Sequence, residues 1–137
     1  MPGWSAGSAI TELKLRHLPA SLRARRDIGQ FYSSHLPQSV QPVSRKGDLQ
    51  HLAVVRLAAR DALAAFLKRH GIETKVHFPL PLHRQSAPWG CPGGRFPGAE
   101  QWCGSVLSLP CFPDMTEEEL RTVSNAINRF AETKMGS

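Results

Sequence analysis

Two histidines six residues apart, His77 and His83, stand in the segment HFPLPLHRQSAPWG at residues 77–90. An imidazole offers a donor and an acceptor near neutral pH, which suits it to hydroxyl or phosphate ligands. The prolines around them fix φ and lower the entropy of the unfolded chain, so this loop can hold a side chain in place. The plain alternative is that His77 ends a strand and His83 lies on the surface. Taken singly, a histidine favours that alternative.

Other chemistries find less in the sequence. Cys91, Cys103 and Cys111 are odd in number and form no CxxC pair, and no histidine sits at zinc-finger spacing from them. They read as reduced, partly buried thiols, and no metal site is expected. Cys91, in GCPGG, has no helix N-terminus beside it to activate the thiol. Asp114 and Glu117, Glu118 and Glu119 form an acidic run, but helix capping explains it. GxSxG, HExxH and a phosphate-cradling glycine loop are absent from the sequence. Residue spacing alone therefore defines no self-sufficient active site, and no catalytic residue is assigned.

The elements that must position the histidines follow from periodicity. Residues 8–35 read as mostly helical, with Ile10, Leu13, Leu18, Leu22, Ile28, Phe31 and Tyr32 recurring near helical steps. Pro19 either kinks this helix or opens a second one. Residues 36–48 read as a connector and 50–57 as a strand. Residues 60–70 read as a helix stopped by Gly71, with Asp61 at its start and Lys68 and Arg69 at its end. Alternation over 72–78 predicts a half-buried strand, and 79–97 a long proline- and glycine-rich loop. A short helix is expected over 98–104 and a short strand over 106–109. Thr116 and Glu119 then form a capping box for a last helix whose face carries Leu120, Val123, Ile127 and Phe130. The order predicts an α+β fold: a small, mostly antiparallel sheet packed by helices.

The chain has 137 residues, 41% hydrophobic and 20% charged, which excludes wholesale disorder and suits one domain over 1–137. No run is long and apolar enough to span a bilayer, and MPGWSAGSAITELK lacks the pattern of a signal peptide, so a cytoplasmic location is expected. Charge is uneven: residues 1–70 hold 11 Lys/Arg against 4 Asp/Glu (+7), and 71–137 hold 6 against 7 (−1), giving the total of +6. A basic half can favour nucleic acid or another polyanion. Here the basic residues are spread and not interleaved with aromatics, so Arg23, Arg25 and Arg26 read as a solvated helix face.

Several segments taken together resemble a known family. HFPLPLH, FPGAEQW and VLSLPCFPDMTEEELRTVSNAI stand in the order and spacing of the C-terminal part of the DegT/DnrJ/EryC1/StrS aminotransferases. GIETKVH and the upstream RARRDIGQFYSSHL are similar to family segments too, so the likeness runs from about residue 9 to about residue 130. Members use pyridoxal phosphate and act mostly on nucleotide-linked keto-sugars. The resemblance implies a linking helix region at 9–35 and the small C-terminal α+β domain of a fold-type I enzyme at 36–137. It also implies that the 77–89 loop lies near the sugar-nucleotide site, with His83 the first candidate for substrate contact and His77 the second. Arg84 and Trp89 read either as lining of that cleft or as core and surface filler.

The departures from the family carry their own expectation. The family's large domain, which holds the cofactor and its lysine, is not expected in this chain. Lys14, Lys46, Lys68, Lys75 and Lys134 all fall where the family has no cofactor lysine, and MPGWSAG does not match its Asn-x-Arg segment. Transamination needs an amine to hold the cofactor aldehyde and a carboxylate facing the pyridine nitrogen. The chain alone is therefore expected to bind no pyridoxal phosphate productively and to be inactive by itself. Its expected partners are a separate cofactor-binding domain or a second copy of itself as a homodimer. A free-standing interaction or ligand-binding module that self-associates is the alternative, and polyanion binding a second.

Overall fold

The computed structural model describes residues 6–44, 50–86 and 93–135. It contains α1 (Ala6–His35), β1 (Gln41–Pro42), β2 (Ala53–Arg56), α2 (Arg60–Arg69), a 3-10 turn (Leu82–Arg84), α3 (Pro97–Ser105), β3 (Val106–Leu109) and α4 (Glu117–Met135). The strands form one antiparallel sheet in the order β1-β2-β3, with Pro42 opposite Val55 and Val55 opposite Leu107. α4 packs on both α1 and α2. The fold is α+β, an antiparallel sheet packed by helices, as the sequence pattern predicts.

Apolar burial explains how the layers join. Leu63 and Leu67 of α2, Ile127 of α4, Tyr32 of α1 and Val55 and Leu107 of the sheet are almost wholly enclosed. On α4 the stripe Leu120, Val123, Ile127 and Phe130 is buried, while Glu117, Arg121 and Glu132 face out. Its start is the capping box: Glu119 N–H donates to Thr116 Oγ1 (3.2 Å), and Thr116 N–H donates to Glu119 Oε2 (2.8 Å). Thr116→Ala is expected to cost about 1 kcal/mol in a urea-unfolding measurement. α2 ends in a Schellman motif, with Gly71 N–H on Lys68 O and Ile72 N–H on Leu67 O. Gly71 has φ +74°, a conformation a side chain resists.

The structure departs from the sequence reading in four places. The connector over 36–48 contains β1, whose two residues have no periodicity to reveal them. The strand expected over 72–78 is reduced to one bridge, Lys75 opposite Ser108, on the far side of β3 from β2. Pro79 and Pro81, which lack amide hydrogens, follow at once and cannot extend the ladder. The long loop of 79–97 is interrupted by the 3-10 turn, and α3 starts at Pro97 itself. α1 runs through Pro19 as one helix, but only Ile28, Gly29 and Tyr32 in it are buried. At 1.5 Å per residue, 30 residues span roughly 45 Å, far more than a four-residue strand can cover. Ile10, Leu13 and Leu18, members of the helical apolar repeat, are therefore exposed.

Candidate functional site: the histidine loop and the first turn of α3

The loop after residue 77 is shaped by its prolines. Pro81 is extended (φ −66°, ψ 154°), and the chain then tightens so that Arg84 N–H reaches Pro81 O (2.9 Å). Gln85 adds a strut, its side-chain amide donating to Leu80 O (3.1 Å). This turn presents His83 and Arg84 side by side to α3.

α3 supplies the counterpart. Pro97 opens the helix, where a missing N–H costs nothing, and Glu100 follows in its first turn. A carboxylate there is favoured by the helix dipole. Glu100 Oε1 accepts from His83 Nε2 (3.1 Å) and from Arg84 Nη2 (3.1 Å). The His83 side chain is only 10% exposed and that of Glu100 26%. Phe96 packs on the imidazole with ring centroids 4.8 Å apart. The hydrogen bond from His83 is the largest influence and holds the Glu100 carboxyl below the usual carboxylate range; desolvation opposes it, and the Arg84 charge adds to it. The far end of α3 is fixed by Arg60, whose Nη1 donates to Cys103 O (3.3 Å) and Val106 O (3.2 Å).

His77 sits elsewhere. Its Nδ1 lies 3.0 Å from Ser108 Oγ on β3, and its ring lines a groove of about 860 Å³ with Lys75, Ser108, Phe112 and Met115. His83 does not line that groove. The structure therefore separates the two histidines: His77 belongs to the sheet edge, and His83 belongs to α3. His77 is exposed and His83 half-buried. Glu100 is the residue that sequence reasoning left without a role; its signals were its place in the FPGAEQW segment and in the first turn of a short helix. Trp89 and Cys91 lie outside the described residues. Cys103 is buried and Cys111 half-buried, both as free thiols.

Around this site the loop is apolar and uncovered, with Phe78 71% and Leu82 77% exposed and Phe96 also open. Among the described residues, no group of three or more His, Cys, Asp or Glu is placed to hold a metal. Lys14, Lys68, Lys75 and Lys134 are all exposed. A pyridoxal phosphate lysine needs an enclosed amine with a carboxylate across the ring, and the described residues do not fit that group. No helix among them is long and apolar enough to cross a membrane.

The small antiparallel sheet packed by helices is a fold shared with solved aminotransferases. The aminotransferase TlmJ from Streptoalloteichus hindustanus superposes with a TM-score of 0.83 at 26% identity, over 93% of this chain and 36% of that one. The model of the DegT/DnrJ/EryC1/StrS aminotransferase family matches residues 5–128, and the chain belongs to that family. It is 34% identical over 127 residues to the dTDP-3-amino-3,6-dideoxy-alpha-D-galactopyranose transaminase of Aneurinibacillus thermoaerophilus, covering 90% of this chain and 35% of the relative. It is 36% identical over 132 residues to the pleiotropic regulatory protein of Geobacillus stearothermophilus, covering 90% of this chain and 36% of the relative. The chain thus spans about a third of the length of these curated relatives.

Proposed function

We propose that this chain acts as the substrate-facing C-terminal part of a pyridoxal-phosphate-dependent aminotransferase whose substrate is a nucleotide-linked keto-sugar. His83 is the main substrate contact and His77 the second. The observation that carries this reading is the His83–Glu100 pair, a loop imidazole fixed by a carboxylate inside an apolar rim that stands open. Family membership and the likeness to the Aneurinibacillus transaminase support this substrate class. The exposed lysines support the further reading that this chain does not transaminate alone. The cofactor's amine and the pyridine-facing carboxylate then come from a separate domain.

Two assays test this. The purified chain, mixed with pyridoxal phosphate, an amino donor and a nucleotide-linked keto-sugar, is expected to show no turnover; sustained turnover refutes the non-catalytic reading. Replacing the matched segment of the Aneurinibacillus transaminase by this chain is expected to give an active chimera. In it His83→Ala should lower kcat/KM at least tenfold, and His77→Ala less, a tenfold loss being worth about 1.4 kcal/mol of transition-state binding. An unchanged kcat/KM for His83→Ala removes the substrate-contact role.

A second reading is favoured by the apolar residues left open along α1 (Ile10, Leu13, Leu15 and Leu18) and around the loop. Such a surface suits an interaction module that self-associates. Light scattering decides: a dimer or larger species supports this reading, and a monomer at all concentrations counts against it.

A further inference from the structure

Glu100 makes no substrate contact in the reading above, yet its environment is more constrained than a helix-surface carboxylate requires. One oxygen, Oε1, takes donors from two consecutive loop residues, His83 and Arg84. Phe96, the residue before α3, closes another side of the same imidazole. The first turn of α3 thus grips one loop ring from two directions, and Arg60 anchors the other end of that helix through Cys103 O and Val106 O. An ionised carboxylate only accepts hydrogen bonds, and a neutral imidazole carries a single N–H. The hydrogen of a neutral His83 must therefore sit on Nε2, which leaves Nδ1 as a lone-pair acceptor.

We propose that Glu100 is a positioning residue that locks His83 in the Nε2–H tautomer and so makes Nδ1 an acceptor for a hydroxyl of the bound sugar. For the neutral ring the tautomer follows from the geometry alone; the sugar hydroxyl rests on the function proposed above. The locked tautomer narrows what His83 recognises. A neutral ring presenting a lone pair selects a donor, such as a hydroxyl, and gives no hydrogen to a phosphate or a keto oxygen. The His83 hydrogen bond first, and Arg84 on the same oxygen second, favour the ionised, accepting form of the carboxylate.

The test is long-range proton–nitrogen correlation NMR on the chain labelled with 15N-histidine, at a pH where the ring signals show the neutral form. His83 is assigned by its loss in His83→Asn. The wild-type ring is expected as a single Nε2–H species. Glu100→Ala should release it to a mixture with Nδ1–H, and Glu100→Gln, whose amide oxygen still accepts, should restore the single species. His77, held by Ser108 and not by α3, reports that the fold is intact in each variant. Hydrogen on Nδ1 in the wild type overturns the proposal even if no variant folds. So does a Glu100→Ala spectrum identical to wild type. In the chimera, Glu100→Ala should raise KM for the nucleotide sugar at least fivefold, and Glu100→Gln should recover most of that loss. If the tautomer is as stated but His83→Ala leaves kcat/KM unchanged, the substrate-contact reading fails while the locked tautomer stands.

Discussion

Replacing Ile127 by alanine is expected to lower the unfolding free energy by about 3–4 kcal/mol, the range for deleting a fully buried aliphatic side chain. Ile127 has 0% of its surface exposed. It lies on the α4 stripe, in the same apolar cluster as Leu63 and Leu67 of α2 and Tyr32 of α1. Those helices meet at α4, so a cavity there weakens both helix contacts at once. Domains are stable by roughly 5–15 kcal/mol in total, so this one change removes a large share. The melting temperature should fall by roughly 10 °C. Urea unfolding with an unchanged slope would show that the loss lies in stability and not in the denatured state. Arg121→Ala, which removes an exposed ion pair with Glu117 on the same helix, is the control and should stay within about 0.5 kcal/mol of wild type. A similar loss in both variants would contradict this account of α4.

The parts of the fold that sequence shows well are those with local causes. α4 declares itself through Thr116, Glu119 and a four-residue apolar stripe, all within one helix. α2 does so through Gly71, whose φ of +74° is a local demand. Long-range pairing has no such signature. β1 exists because Gln41 and Pro42 meet Arg56 and Val55, and two residues carry no period. The segment 72–78 alternates like a strand, but Pro79 and Pro81 limit it to one bridge. In α1 the apolar repeat is real, yet half of it lies beyond the reach of the sheet, so periodicity overstates burial there. The site divides in the same way. The loop and its histidines are legible because proline and histidine are chemically distinctive. The partner that gives His83 its geometry is Glu100, 17 residues on and across a non-periodic loop. Nothing in local sequence brings those two together.

Above about pH 10 the fold should lose stability steeply, and Tyr32→Phe should flatten that dependence. Tyr32 is 2% exposed, and its hydroxyl donates to Pro110 O at 2.9 Å. Burial pushes its phenol pKa well above the ordinary value of about 10, with nearby Cys111 pushing the same way. The thiol of Cys111 is itself raised by burial, against an opposing pull from Arg25. The sign follows from proton counting. Between the unfolded and the raised folded pKa, the folded chain holds a proton that the unfolded chain has lost. Stability is thus whole below the unfolded pKa and falls as pH rises, by up to about 1.4 kcal/mol per pH unit for each group. Removing the Tyr32 hydroxyl has an opposite cost at neutral pH, about 1 kcal/mol for the hydrogen bond to Pro110. Wild type should therefore be the more stable protein at pH 7, and by about pH 11.5 the two curves should meet or cross. The two proteins differ only in the Tyr32 hydroxyl, so the difference between their curves isolates the phenol together with its interaction with Cys111. Chemical denaturation of both proteins from pH 7 to 11.5 gives the measurement. Curves that stay parallel across that range would mean that Tyr32 ionises as easily inside the fold as in water.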